Sequence, residues 1–347
     1  MATTFAVPDG RVAMAATTYT GTGVARSVSN AVNTVSFAPD FVWIKDRTTA
    51  YSHILFDTIR GAGNYLISNG TLVETTDTNY MSAFTSTGFS VGTSAVSNGN
   101  TENYIGWQWK AGGTAVSNTA GTITSSVSAN TTAGFSVVTY TGTGATGTVG
   151  HGLGVIPGMV IEKRRNATSN WFVYFPQIGS GGTYFEGLNT TSAGNTSSTS
   201  QISFSSTLGT INNATDHGAN GINYVWYCWA PVAGYSAFGS YTGNGSADGP
   251  FIYTGFRPRF LMIKRTDTAG NNWVILDTSR DTYNAAGLYL YPNLSAAEDD
   301  YRASTGPIDI LSNGLKQRST LSNVNASGST YIYAAFAENP LKYANAR

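Results

Sequence analysis

Charged side chains are scarce in this chain of 347 residues. Asp, Glu, Lys and Arg make up 11% of it, against about 25% in an average soluble domain. The 19 basic and 19 acidic residues cancel, so the sequence offers no basic surface that could displace counterions from nucleic acid. It also has no polybasic arm for a membrane surface. We therefore expect neither nucleic acid nor a membrane as a partner.

Cysteine and histidine are nearly missing as well. The single cysteine, Cys228, excludes an internal disulfide, and its apolar, aromatic surroundings predict a small buried side chain. His53, His151 and His217 stand apart from cysteine and from carboxylates at ligand spacing, so we expect no metal site. No repeated carboxylate pair and no G-x-S-x-G motif occurs. The sequence predicts no catalytic residue, no cofactor and no enzymatic activity.

Long apolar runs are absent too. No segment approaches the ~18 apolar residues of a membrane span, and the first residues lack the basic and apolar regions of a secretory signal. The segment 142–147 matches G-x-G-x-x-G but is not followed by a helical pattern, so we expect a turn. Disorder is excluded, because 41% of the residues are hydrophobic and include 20 Tyr, 16 Phe and 7 Trp.

What the sequence does contain is an internal repeat. An apolar strand that follows a proline and ends in lysine occurs at residues 37–47, 156–165 and 256–265. A Tyr-Thr-Gly segment precedes each copy, and an aromatic closing strand follows it; these strands begin at Tyr104, Tyr224 and Tyr331. Each copy offers roughly six to eight short strands separated by Gly, Asn and Asp, a pattern typical of antiparallel sandwiches.

We therefore predict an all-β protein of three tandem antiparallel β-sandwich repeats, at residues 1–113, 114–234 and 235–347. The low-complexity entry to the second repeat, 111–134, is interpreted as an extended linker or an added edge strand. The compact apolar connection 230–238 predicts that repeats two and three dock rigidly.

The closing strands predict burial on both faces. Alternation places Ile105, Trp107 and Trp109 on one face, which we assign to the core. The opposite face carries Trp226 in the second copy and Tyr333 in the third, which indicates burial beyond one sandwich. We expect a homo-oligomer, with a trimer favoured, or a tight stack of domains.

Two further features are weighed for function. Asp57 with Arg60, and Asp277 with Arg280, could mimic a charged site; their shared spacing and their loss from the middle copy favour a local ion pair or turn cap. The segment 296–302 is the one place where a helical turn is expected.

The segments 120–135, 149–154, 230–236 and 331–340 resemble tandem-repeat proteins encoded by marine tailed bacteriophages, usually labelled tail fibre or virion structural proteins. The resemblance covers nearly the whole chain. It implies a virion location and contacts with other tail or capsid proteins, and it supplies no active-site residues.

On this basis we expect a fibre or tail-tip component that contacts the host cell surface. A capsid decoration or spike protein and a glycan-cleaving tailspike are the alternatives. Tyr51, Tyr283 and Tyr301 lie in polar segments where a ring could stack on a sugar, or pack against a neighbouring loop or subunit. We predict that Tyr283, Glu298 and Tyr301 bind a host-surface glycan at the distal end of the third repeat.

Overall fold

The computed structural model describes residues 5–196, 198–304 and 306–340, without the side chains of 338–340. Within these ranges the protein is all-β, and the only α-helices are single turns. Every pairing between its strands is antiparallel. The predicted all-β class and antiparallel pairing are confirmed.

Unit 1 comprises residues 5–113. Its strands are β1 (Met14–Thr20), β2 (Arg26–Ser29), β3 (Phe41–Asp46), β4 (Ile54–Asp57), β5 (Asn64–Ile67), β6 (Thr75–Thr76), β7 (Ala83–Thr85), β8 (Gly88–Val91) and β9 (Asn103–Trp109). A large sheet has the order β1-β9-β3-β4-β5-β6, and a small sheet has the order β2-β8-β7.

Unit 2 comprises residues 114–234. Its described strands are β10 (Val116–Asn118), β11 (Ser125–Asn130), β12 (Phe135–Thr141), β13 (Gly147–Gly150), β14 (Met159–Arg164), β15 (Phe172–Phe175), β16 (Thr183–Glu186), β17 (Asn195–Thr196), β18 (Ile202–Phe204), β19 (Leu208–Ile211) and β20 (Asn223–Trp229). The large sheet runs β10-β11-β12-β20-β14-β15-β16-β17, and the small one runs β13-β19-β18.

Unit 3 comprises residues 235–340. Its described strands are β21 (Ser236–Thr242), β22 (Phe251–Tyr253), β23 (Phe256–Arg265), β24 (Val274–Asp277), β25 (Leu288–Tyr289), β26 (Asp299–Asp300), β27 (Ile308–Leu311), β28 (Gly314–Gln317) and β29 (Thr330–Pro340). The sheets run β21-β29-β23-β24, β22-β28-β27 and β25-β26. A bridge between Ile275 and Leu290 joins the strand pair β25-β26 to β24.

The large sheets share one strand order, which follows from the repeated sequence. The strands predicted after a proline are β3, β14 and β23, and each lies beside its closing strand, β9, β20 or β29. In unit 3 the strand begins before Pro258, and its register shifts on both sides of this residue. A bulge is where a strand tolerates a residue without a backbone N–H.

Short helices precede the closing strands at equivalent places. They are α1 (Ala95–Asn98), α2 (Ala214–His217) and α3 (Ser322–Asn325); turns of 3-10 helix lie at Gly10–Val12 and Ser198–Ser200. Ser94 and Asn213 cap α1 and α2 by accepting a hydrogen bond from a backbone N–H.

The predicted helical turn at 296–302 is wrong. This segment is extended and contains β26, because its backbone groups pair outside the segment. Glu298 N donates to Arg47 O (2.9 Å), and Tyr301 N donates to Gly287 O (2.8 Å). A helix would need these groups for its own i to i−4 hydrogen bonds.

The low-complexity segment is ordered. Its strand β10 pairs with β11, which pairs with β12, so the segment adds edge strands to the large sheet of unit 2. The added edge strand is therefore the correct alternative. The 230–238 connection is also compact: Val232 bridges to Ser236, and Tyr235 is buried.

One hydrophobic core joins the large sheets of all three units. The ring centroid of Trp109 in unit 1 lies 5.7 Å from that of Trp229 in unit 2. It also lies 5.3 Å from that of Phe260 and 5.6 Å from that of Phe336, both in unit 3. Aromatic rings at these separations attract one another beyond the area that they bury. The three units therefore meet through the inner faces of their large sheets.

The outer faces of the closing strands pack under their own small sheets. Trp226 lies against Phe204 of the same unit, with ring centroids 5.6 Å apart, and against Gly209. The prediction that Trp226 marks burial beyond one sandwich is wrong, because the face of Trp107 and Trp109 makes the contact with other units. Both faces are buried within one chain, so this strand no longer requires a second chain to cover it.

Candidate functional site

The ion pair predicted in unit 3 forms at the end of β24. Arg280 N donates to Asp277 Oδ1 (3.0 Å), and Arg280 Nε donates to Asp277 Oδ2 (2.6 Å). Both side chains are fully buried. The pair therefore caps the turn, as the spacing predicted.

Unit 1 completes this cluster. Trp107 Nε1 donates to Asp277 Oδ2 (3.0 Å), and the Arg280 guanidinium lies 5.8 Å from the centre of the Trp107 ring. Glu298 accepts from Arg280 Nη1 (2.7 Å) and from Arg47 Nη2 (2.7 Å), so one carboxylate bridges the arginines of two units. The pair is thus part of a junction between units 3 and 1.

The same cluster recurs between units 1 and 2. The Arg60 guanidinium donates to the buried Asp57 carboxylate, which also accepts from Tyr227 of unit 2 (O–O 2.8 Å). Glu74 accepts from Arg60 Nη1 (3.1 Å) and from Arg165 Nη2 of unit 2 (2.8 Å). Tyr227 takes the place that Trp107 has at the other junction.

The junction between units 2 and 3 lacks the charges. Phe175 and Ile178 replace the aspartate and arginine, and Ala334 stands where the other junctions have Tyr227 or Trp107. Phe175 and Ala334 are buried in the common core, and Ile178 packs against it. At this junction the aromatic hydrogen-bond donor is therefore lost together with the aspartate carboxylate that it would have contacted.

Equivalent backbone hydrogen bonds join all three pairs of units: Glu74 N to Arg165 O (2.7 Å), Glu298 N to Arg47 O (2.9 Å) and Gly194 N to Thr266 O (2.8 Å). Unit 1 donates to unit 2, unit 2 donates to unit 3 and unit 3 donates to unit 1. The contacts thus close into a ring after three units.

The arginines of the two charged junctions stay ionised. Burial opposes the charge of Arg280, but the carboxylates of Asp277 and Glu298 outweigh it and raise the pKa of the guanidinium. Burial likewise lowers the pKa of Arg60, but the attraction of the Asp57 carboxylate outweighs burial, so this pKa is also raised. Neither arginine is available as an acid, which suits a structural role.

The lysine one residue before the end of each of β3, β14 and β23 is buried, and burial lowers the pKa of Lys45, Lys163 and Lys264 to about 8. Lys264 Nζ donates to Asn271 O (2.8 Å), and Lys163 Nζ donates to Ser169 O (2.7 Å). These ammonium groups hold neighbouring loops through backbone carbonyls.

The predicted tyrosines have different environments. Tyr283 is exposed in a loop, whereas Tyr51 and Tyr301 are half-buried. The ring of Tyr301 packs against Tyr289, with centroids 5.0 Å apart, and its backbone bond to Gly287 holds it beside the loop of Tyr283. The structure thus brings the two predicted ligand-binding segments together.

Glu298 is occupied by protein. Its carboxylate accepts hydrogen bonds from Arg47 and Arg280, which leaves it mainly a bridge between units. Its assignment as a glycan ligand stays a prediction. The exposed Phe251 and Tyr253 were missed by sequence reasoning, although β22 alternates exposed, buried, exposed around Ile252.

Other reactive groups are buried separately. Burial raises the pKa of the Cys228 thiol, as expected of an inert core cysteine. His217 Nδ1 lies 2.7 Å from Glu162 Oε1, and Glu162 Oε2 accepts from Trp226 Nε1 (2.6 Å), all inside unit 2. Within the described ranges no three His, Cys, Asp or Glu side chains cluster as metal ligands. In the same ranges no helix has the length and apolarity to cross a membrane.

The site and the fold together define an all-β protein whose antiparallel sheets share one central core, with a buried ion-pair cluster at two of the three junctions. The chain belongs to the family described as Domain of unknown function (DUF7483), whose model matches residues 12–340. That match runs through all three units. No curated protein and no solved structure matches the chain.

Proposed function

We propose that the chain consists of three tandem antiparallel β-sandwich repeats, 1–113, 114–234 and 235–347, arranged around a pseudo-threefold axis. Three observations support this proposal: the shared strand order, the small sheet over each large sheet, and the equivalent backbone bonds at the three junctions. Repetition of a two-layer unit is how a chain without long helices builds a larger core.

The function that we propose is that of a bacteriophage virion structural protein, a fibre or tail-tip component that contacts the host surface. The observation that carries this proposal is the closed ring with one continuous core. A rigid ring presents its loops in fixed positions, and prior ordering reduces the entropic cost of binding. The resemblance to phage tail proteins supplies the virion location.

The distribution of charge supports binding rather than catalysis. The best-buried ion pairs, Asp57 with Arg60 and Asp277 with Arg280, lie at the junctions, where they hold units together. The remaining surface is rich in hydroxyl and amide groups and carries balanced charge. Such a surface suits neutral, hydrogen-bonding ligands such as glycans, and Tyr283 is the predicted residue best exposed to meet one.

A capsid decoration or spike protein is the second proposal, since a compact ring of three units fits a knob on any virion surface. Either role places the protein among other tail or capsid proteins. A homo-oligomer, with a trimer favoured, remains part of the proposal, because a pseudo-threefold ring matches a threefold assembly axis.

Electron microscopy of virions bound by a gold-labelled antibody against the protein tests the location. Label at the tail tip or fibre supports the first proposal, and label on the capsid shell supports the second. Absence of label from intact virions contradicts both. Release of reducing ends from host polysaccharide, in proportion to purified protein, would instead support the glycan-cleaving tailspike.

A further inference from the structure

Among the residues that the structure describes, the exposed large aromatic side chains are confined to one unit. Within the described ranges these are Phe251, Tyr253 and Tyr283, which are 46%, 63% and 85% exposed. All three belong to unit 3, although aromatic residues are spread over the whole chain. Contiguous exposed apolar surface on a folded protein marks an interaction site more often than chance.

Two of these rings share the outer face of the small sheet β22-β28-β27. Ile252 points into the core, so Phe251 and Tyr253 point outward, about 6.8 Å apart along the strand. The outer row through Phe251 continues to Lys316 and Asp309 on the neighbouring strands. The rings therefore form one edge of a flat outer face.

Tyr283 borders the opposite edge of this sheet. Its neighbour Asn284 donates through Nδ2 to Ile310 O (2.9 Å) and accepts through Oδ1 from Ile310 N (2.8 Å). Ala286 then bridges to Ile308. The segment that carries Tyr283 is thus held against β27, and the sheet separates it from Phe251 and Tyr253.

The fold does not need aromatic residues at the two strand positions. In unit 1 the equivalent positions hold Ser27 and Ser29, on either side of the inward Val28. In unit 2 they hold Thr148 and Gly150. Because the same small sheet forms with small polar side chains, the rings of unit 3 serve something other than folding.

The contacts of two glycines show where the rings lie. A Cβ at Gly314 would lie 3.1 Å from Cε2 of Phe251, so this ring leans over the neighbouring strand. A Cβ at Gly255 would lie 3.7 Å from the hydroxyl of Tyr253, so the second ring extends along its own strand. Rings in these positions can offer their faces to a ligand.

Paired charges lie on the Phe251 side of the two rings. Lys316 Nζ lies 2.7 Å from Asp248 Oδ1, and Arg318 Nε donates to Asp309 Oδ2 (2.7 Å). The two pairs supply hydrogen-bond donors and acceptors with no net charge. Nucleic acid and anionic polymers would require an excess of positive charge, whereas a neutral polyhydroxyl chain requires none.

We propose that the outer face of β22-β28-β27 binds a neutral carbohydrate chain. Sugar rings stack on Phe251 and Tyr253, and hydroxyl groups bond to the Lys316–Asp248 and Arg318–Asp309 pairs. The stacking uses the apolar faces of both partners, as aromatic platforms do for planar ligands. This surface differs from the one predicted at Glu298 and Tyr301, and its assignment does not depend on a virion location.

The test uses the full chain and an array of neutral hexasaccharides of glucose, galactose, mannose, xylose and N-acetylglucosamine. The double variant Phe251→Ser with Tyr253→Ser gives unit 3 the serines that unit 1 has at the equivalent positions. We expect at least one probe to bind the wild type, and the double variant to weaken that binding by at least about tenfold. Added salt should change the affinity little.

The matched control is Ser27→Ala with Ser29→Ala, at the equivalent positions of β2 in unit 1. This change should leave binding unchanged. An unchanged melting temperature of the double variant shows that it is folded. Binding of no probe, or equal binding by the double variant, would overturn the proposal. If no carbohydrate binds, the virion location can still be tested by antibody labelling, so failure of one proposal is distinguishable from failure of the other.

Discussion

Replacing Asp277 by Asn tests whether the charged junction holds units 3 and 1 together. The carboxylate accepts from the backbone N of Ser279 and Arg280 through one oxygen, and from Arg280 Nε and Trp107 Nε1 through the other. An amide keeps one of these two acceptors. Its NH2 group would face either the two backbone N–H groups or the side-chain donors of Arg280 and Trp107, and in both cases two donors lose their acceptor. Arg280 would retain only Glu298 as a charged partner.

The expected loss follows from burial. Removing one partner of a buried ion pair costs about 3–5 kcal/mol, because the other charge stays desolvated without compensation. The side chains of Asp277 and Arg280 are both 0% exposed, so screening is small, and the remaining pair of Arg280 with Glu298 places the loss at the lower end of this range. We expect the unfolding free energy of Asp277→Asn, measured by urea denaturation, to fall by about 3 kcal/mol or more.

Asp300→Asn is the matched control. Asp300 also pairs with an arginine, Arg302 (2.6 Å), but their side chains are 51% and 50% exposed. An exposed pair contributes about 0–1 kcal/mol. If Asp277→Asn costs no more than Asp300→Asn, the junction does not depend on this charge and the reasoning fails.

Three further predictions concern packing and pH. The pKa of Lys264 is lowered by burial from 10.5 to about 8, so the unfolded chain binds more protons between these pH values and stability rises with pH there. Lys264→Met should reduce that slope by up to ~1.4 kcal/mol per pH unit between about pH 8 and 10, measured by urea denaturation; an unchanged slope would contradict it. A Cβ at Gly209 would lie 2.6 Å from Trp226 Cη2, so Gly209→Ala should lower stability by ~1–3 kcal/mol, whereas Gly70→Ala, with its nearest atom at 3.6 Å, should change it little. The isolated fragment 235–347 should bind a hydrophobic dye and lack a cooperative melt, because its inner aromatic rings pack on other units; a sharp melt without dye binding would contradict this.

Local features were predictable because their signals are local. The strands at 37–47, 156–165 and 256–265 are apolar runs with a proline at one end and lysine at the other, and each forms beside its closing strand. The ion pair of Asp277 and Arg280 follows from residues three apart on a turn. Alternation also showed correctly that both faces of the closing strands are buried.

Which face meets which neighbour was not predictable. Trp107 and Trp226 are both tryptophans on closing strands, and periodicity says only that their faces are opposite. Tyr227 contacts Asp57 across 170 residues, a separation that no motif spacing reveals. A comparison of the copies held the signal, since Ala334 replaces the aromatic donor at the junction where Phe175 replaces the carboxylate.

The unequal junctions also disfavour closure of the ring in another order. In a ring of three similar units, wrong closure within a chain or between chains is the main competing structure. Placing Ala334 against Asp57 would remove the hydrogen bond that Tyr227 donates to this carboxylate, and a buried hydrogen bond to a charged group contributes about 1.5–3 kcal/mol. Placing Tyr227 against Phe175 would bury a hydroxyl group in an apolar contact at a similar cost. The charged pairs, which add little net stability over an apolar junction, thus select the correct neighbour for each unit.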